Sequence, residues 1–168
     1  SENIDTVLEP SCGDGVFLDS LKETGLLDKV SRIEAVEIEA PEAQKVSDRY
    51  KDTPKVKVIN QDFFDFYKEA LGKKTFDLIL GNPPYIRYQY LKESQRECQA
   101  QILTSHGMKS NKLINAWVAF MVASVQMLSK RGKIAFVIPA EILQVAYAED
   151  LRLYLANHLA KITLITFE

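Results

Sequence analysis

The sequence predicts an α/β fold, a mostly parallel sheet with helices on both faces, and three observations carry that expectation. Short β-branched runs alternate with longer stretches of helical periodicity along the 168 residues. Glycine or proline punctuates several of the runs. The chemically distinctive side chains fall just after the runs, beyond the carboxyl ends of the strands, where sheets of this class bind ligands.

The elements follow in order. Thr6–Glu9 is an apolar run stopped at Pro10, and 11–15 is a tight turn. Residues 16–24 read as a helix burying Phe17, Leu18 and Leu21. A second strand is expected over 33–38. The helix over 41–50 opens on Pro41, a residue suited to the first helical turn. Lys55–Asn60 alternates as a third strand, 76–80 is a fourth, and 133–138 is a fifth stopped by Pro139. Lys161–Phe167 is expected to be a sixth. Leu113, Trp117, Phe120, Met121, Ser124, Val125 and Leu128 keep helical spacing, as do Tyr147, Leu151, Leu155 and Leu159. Only 81–111 breaks the rhythm. It is polar, aromatic and longer than an ordinary connection, and long irregular segments of this kind are usually functional or disordered.

Composition narrows the class. With 46% hydrophobic and 26% charged residues the chain is globular, and its length suits one domain spanning 1–168. No apolar run reaches the length of a membrane span, and the first residues lack the basic and apolar regions of a signal peptide. Cys12 and Cys98 make neither a disulfide framework nor a zinc spacing, so no metal is expected and the compartment is read as cytoplasmic and reducing. A net charge of −2 lacks the basic excess of a free-standing DNA-binding domain. A nucleic-acid substrate would therefore need charge from the remainder of a larger polypeptide.

The first constellation looks like a cofactor pocket. Glu9, Pro10, Ser11, Cys12 and Gly13 follow the first strand, and Gly13 and Gly15 let the backbone approach a ligand. Leu18 stands where a dinucleotide fingerprint wants its third glycine, and Glu9 would repel a pyrophosphate. A cation suits Glu9 better, and S-adenosyl-L-methionine carries an ammonium and a sulfonium. Glu37, with Ile38 beside it, ends the second strand, where an acidic side chain accepts ribose hydroxyls. A solvated strand end, with Glu39 the better candidate, is the bland alternative. Asp62 can accept from an adenine amino group and Phe63 can lie on the adenine face, although Phe63 alone reads equally as core.

The second constellation is Gly81-Asn82-Pro83-Pro84-Tyr85 after the fourth strand. The prolines hold the loop extended and remove two N–H donors. The Asn82 side-chain oxygen and the Pro83 carbonyl can then accept both hydrogens of an NH₂ group and free its lone pair for attack. Tyr85 offers a flat face to the ring that bears the amine. An Asn-Pro-Pro turn by itself would close a strand just as well.

As a series, residues 7–15, 36–38, 61–63 and 77–85 resemble the gamma-class adenine-specific DNA methyltransferases, and within them the Eco57I-type restriction–modification methylases. Residues 86–89, 115–120 and 132–139 are similar to that family's later motifs. The resemblance implies a Rossmann-like class I methyltransferase fold. It also implies methyl transfer from S-adenosyl-L-methionine to the N6 amino group of an adenine flipped out of double-stranded DNA. Glu9–Gly13 would line the methionine side, Glu37 would bind ribose, and Asp62 and Phe63 would hold the cofactor adenine. Asn82 and Pro83 would grip the target amine and Tyr85 would stack on its ring. In that family a cofactor motif precedes the first strand and a further strand closes the sheet. The chain is therefore expected to be a catalytic core, truncated before the last strand and lacking a target-recognition domain. Protein glutamine or RNA amino methyltransfer, or an inactive binding fragment of the fold, are the alternatives.

Overall fold

In the computed structural model residues 4–140 and 148–166 are described. The sheet has five strands: β1 (Thr6–Glu9), β2 (Arg32–Glu37), β3 (Val56–Asn60), β4 (Phe76–Gly81) and β5 (Leu128–Phe136). Their order is β3-β2-β1-β4-β5 and every pairing is parallel. The register places Val7 beside Ile33 on one side and Leu78 on the other. Between the strands lie α1 (Val16–Glu23), α2 (Ala40–Arg49) and α3 (Phe63–Ala70), followed by α4 (Glu93–Thr104) and α5 (Ala116–Gln126), with α6 (Ala148–His158) after β5. Parallel crossovers are right-handed. The chain winds outward from β1 through β2 to β3 and then returns to β4, so α1 and α2 cover one face and α3 the other. The winding reverses between β1 and β4, and their carboxyl ends flank the crevice used by such sheets.

The chain divides into two compact units. The first comprises Ser1–Pro83 and Gln126–Val137, the second Pro84–Val125 and Ile138–Glu168. Val7, Leu18, Ile33 and Val46 form the centre of the first unit's core, with no exposed surface. Asp77 locks the sheet at the opposite end of the strands from Glu9. Its Oδ2 accepts from the Thr6 amide at 3.0 Å and the Thr6 hydroxyl at 3.0 Å, and its Oδ1 from the Ser129 hydroxyl at 2.7 Å. These bonds hold the Asp77 carboxyl below its usual range, the Ser129 hydroxyl contributing most.

The second unit is helical. α5 is buried from Ala116 through Val125 on every side, rather than on one apolar stripe, as befits a helix of such uniform hydrophobicity. α4 buries Cys98, Gln99, Ile102 and Leu103, and α6 buries Ala148, Leu151, Tyr154 and Leu155.

Several expectations need correction. The stretch 81–111 is not irregular throughout: α4 occupies 93–104, and its buried side chains give it a packing face. Leu113 lies outside α5 and is 80% exposed, and Leu128 belongs to β5, because helical spacing persists by coincidence beyond both ends of the real helix. Leu159 follows the end of α6, whose stripe uses Tyr154 instead, and Tyr147 lies outside the described residues. Phe17 is only partly buried. The expected sixth strand is absent over 161–166, and Phe167 lies outside the described residues. Ile162, Leu164 and Ile165 are exposed there. β-Propensity without a paired neighbour does not make a strand.

Candidate active site

The ends of four neighbouring strands build the candidate site. β1 ends on Glu9, and the turn that follows needs glycine at two places. Gly13 has φ +52° and Gly15 has φ +85°, backbone shapes that other residues adopt at a cost. A Cβ on Gly13 would meet nothing within 4 Å, so open space adjoins the turn. At Gly15 a Cβ would lie 3.2 Å from Val46, so this glycine permits close packing of the turn on α2.

Glu37 fastens the turn to the end of β2. Its Oε2 accepts from the Gly13 amide at 2.7 Å and its Oε1 from the Glu39 amide at 2.8 Å. Glu37 is buried and Glu39 exposed, so the solvated-strand-end alternative fails on position. The Cys12 amide donates to Val36 O at 2.9 Å. At the end of β3, Asn60 donates through Nδ2 to the carbonyls of Glu37 (2.9 Å) and Ile38 (3.1 Å). Asn60 is a supporting residue that the sequence reading missed; its only signal was its place as the last residue of the alternating run. Ile38 is 46% exposed at the rim.

Asp62 is the N-cap of α3. Its Oδ1 accepts from the Phe64 amide at 2.7 Å, satisfying a donor that the first helical turn leaves open. Phe63 is buried, with ring centroids 6.2 Å from Phe64 and 6.4 Å from Phe66, so the core alternative describes its packing.

The two constellations meet through Ser11. Its hydroxyl donates to the backbone carbonyl of Asn82 at 3.2 Å. Pro10 is buried, and the Cβ position of Gly81 lies 3.4 Å from its ring. Asn82 is exposed and Pro83 buried, both in the first unit, while Pro84 and the 45%-exposed Tyr85 open the second.

Glu9 dominates the electrostatics. It is 1% exposed, and no donor among the described residues reaches either carboxylate oxygen. Burial above all, then Asp14, Glu37 and Asp19, pushes its carboxyl up to about 9. Two orphaned buried oxygens form a site that a cation with N–H donors would complete. Burial, together with Glu9 and Glu37, also pushes the Cys12 thiol up to about 12, which makes it inert as a nucleophile. Among the described residues no three His, Cys, Asp or Glu side chains could hold a metal, and no helix is long and apolar enough to cross a membrane.

The model of the Eco57I restriction-modification methylase family matches residues 18–168. The chain belongs to that family. The chain is 31% identical over 153 residues to the type II methyltransferase M.HincII of Haemophilus influenzae, covering 91% of the chain and 27% of that protein. It is 28% identical to M.AccI of Acinetobacter calcoaceticus, covering 100% of the chain and 30% of the relative. The chain thus spans less than a third of the length of either. Among solved structures, it resembles a type I restriction–modification methyltransferase subunit from Streptococcus thermophilus with a TM-score of 0.72 at 18% identity, covering 94% of the chain and 34% of that subunit. A Listeria monocytogenes protein assigned to the class I S-adenosylmethionine-dependent methyltransferases gives the same TM-score at 13% identity, covering 94% of the chain and 46% of that protein. At these identities the likeness is one of fold. The chain has the Rossmann-like class I methyltransferase fold.

Proposed function

We propose that the chain is the catalytic core of an enzyme that transfers a methyl group from S-adenosyl-L-methionine to the N6 amino group of adenine in double-stranded DNA, with the target base flipped out. The observation that carries this reading is the Ser11 hydroxyl bond to the Asn82 carbonyl, which ties a stiff amine-gripping loop to the turn beside Glu9. When bound, the cofactor supplies an electrophilic methyl group on a sulfonium.

The residues present fit that cofactor. Glu9 would receive its ammonium, converting two orphaned oxygens into a charge-assisted pair, and Pro10 to Gly13 would line the methionine chain. Glu37 already accepts two amides, but a carboxylate has about four lone-pair sites, so it can still take ribose hydroxyls. Asp62 would accept from the cofactor's adenine amino group, with Ile38 and Phe63 as walls.

Asn82 Oδ1 and the Pro83 carbonyl would accept the two hydrogens of the target amine. That draws the nitrogen lone pair out of conjugation and aims it, with no general base needed beforehand. Tyr85 would hold the base by its face, offsetting part of the few kcal/mol needed to extrude it. After transfer the amine proton leaves to solvent. The rest of the protein would supply target recognition.

The test is methyl transfer from labelled cofactor by the full-length protein to DNA, RNA and a release-factor protein in parallel, followed by nucleoside digestion. N6-methyladenine from DNA alone is expected. Label in protein glutamine or RNA would sink the reading.

A further inference from the structure

Directly after Tyr85 the chain builds a small exposed platform. Ile86 and Tyr90 are exposed, Tyr90 by 72%, and Arg87 and Lys92 flank the turn Tyr88–Tyr90 as exposed cations. Among the described residues neither cation is ion-paired with a carboxylate.

The platform is braced from behind. The Ala116 amide donates to Ile86 O at 2.9 Å, and Arg87 pairs with Asn115 as an isolated antiparallel bridge at the start of α5. The Tyr90 amide donates to Arg87 O at 2.9 Å and closes the turn. Arg96, from α4, lies 5.3 Å over the Tyr88 ring and donates to Gln89 O at 3.0 Å. Leu91 is buried. A turn fixed at each of these points holds Tyr90 in water instead of letting it fold away. Residues 84–115 carry five Lys or Arg against two Glu, a net of +3, within a chain of net −2.

We propose that this platform is a contact surface for the DNA backbone beside the extruded base, an inference that rests on the DNA-methylating reading above. Arg87 and Lys92 each neutralise a phosphate, and Tyr90 offers its ring to an unpaired or splayed base next to them. An exposed aromatic side chain between two cations is the arrangement that single-strand-like nucleic acid selects, combining stacking with charge. A protein partner would leave the two cations without counter-charge unless it brought its own carboxylates.

The experiment uses the full-length protein and a fluorescein-labelled 30-base-pair duplex with a central adenine placed opposite an abasic site, so that an unpaired base is present, with anisotropy read from 50 to 300 mM KCl. Each lost phosphate contact lowers the slope of log affinity against log salt by about 0.9. Arg87→Ala with Lys92→Ala is expected to lower that slope by about two and leave cofactor affinity unchanged in calorimetry. Lys92→Arg should keep the wild-type slope. Tyr90→Ala should weaken binding severalfold without altering the slope, and Tyr90→Phe should bind as wild type. A double variant with the wild-type slope overturns the platform while leaving the DNA reading intact. So does one that binds DNA normally but unfolds at lower temperature, since the surface then packs on protein. A wild-type protein that binds no duplex overturns both.

Discussion

At the residue scale Glu9 and the Asn82–Tyr85 loop carry separate predictions. The folded Glu9 carboxyl holds its proton to about pH 9, whereas an unfolded one releases it near its ordinary value of 4.5. Between those values the folded state binds more protons, so stability from this group is full below 4.5 and is lost as pH rises through 9. Glu9→Gln should flatten the stability–pH curve over that window in urea titrations. An ammonium paired with Glu9 requires the carboxylate, so cofactor affinity should rise by up to tenfold per pH unit between about pH 6 and 7.5, with proton release in calorimetry. Affinity independent of pH in that range would remove Glu9 from the ammonium. Asn82 acts on the reacting nitrogen, where contacts that strengthen in the transition state raise rate. Asn82→Ala should lose turnover by about 10²–10³-fold. Tyr85 should act through its face: Tyr85→Phe mild, Tyr85→Ala severe, with 2-aminopurine fluorescence at the target reporting flipping apart from chemistry. Equal damage from both would make the hydroxyl the working part.

At the element scale β4 and β5 are joined by a residue pattern that punishes small changes. β5 carries Gly132 in its interior, where glycine ordinarily weakens a strand. A Cβ there would stand 2.8 Å from the Phe76 carbonyl and 3.0 Å from the Ser129 amide, both backbone atoms that cannot swing aside. The register shifts at the same place, between Phe76 and Leu78. Gly132→Ala should destabilise by about 1–3 kcal/mol in urea unfolding, as overpacking does. Asp77 meets the same strand through Ser129. Its carboxyl is lowered in the folded state, so its contribution is present above the unfolded value of 3.8 and lost as pH falls through the folded one. Asp77→Ala should cost about 1.5–3 kcal/mol at neutral pH, and the gap to wild type should narrow only in strong acid. A gap that stays constant to pH 2 would mean that the carboxylate charge contributes nothing.

At the scale of the whole molecule, every cofactor-side candidate lies in the first unit. Saturation with cofactor or its demethylated product should therefore slow hydrogen exchange at the Gly13, Glu39 and Phe64 amides, whose acceptors are Glu37 and Asp62. At a ligand concentration of 100 times Kd, unfolding should cost about 2.7 kcal/mol more. Protection confined to the second unit would contradict the pocket assignment. The sequence alone determined the alternation of strands and helices, the two glycines of the turn, the acidic strand ends and the proline-stiffened loop, because each is local: a period, a φ restriction or a charge at a boundary. It did not determine that 93–104 is a helix, that α5 is buried all round, or that 161–166 forms no strand. Nor could it show that Glu9 has no hydrogen-bond partner among the described residues, that Glu37 already holds two amides, that Asp62 caps α3, or that Ser11 reaches Asn82. Those depend on which segments pack together, and burial, strand pairing and hydrogen bonds between residues some seventy positions apart exist only once the chain has folded.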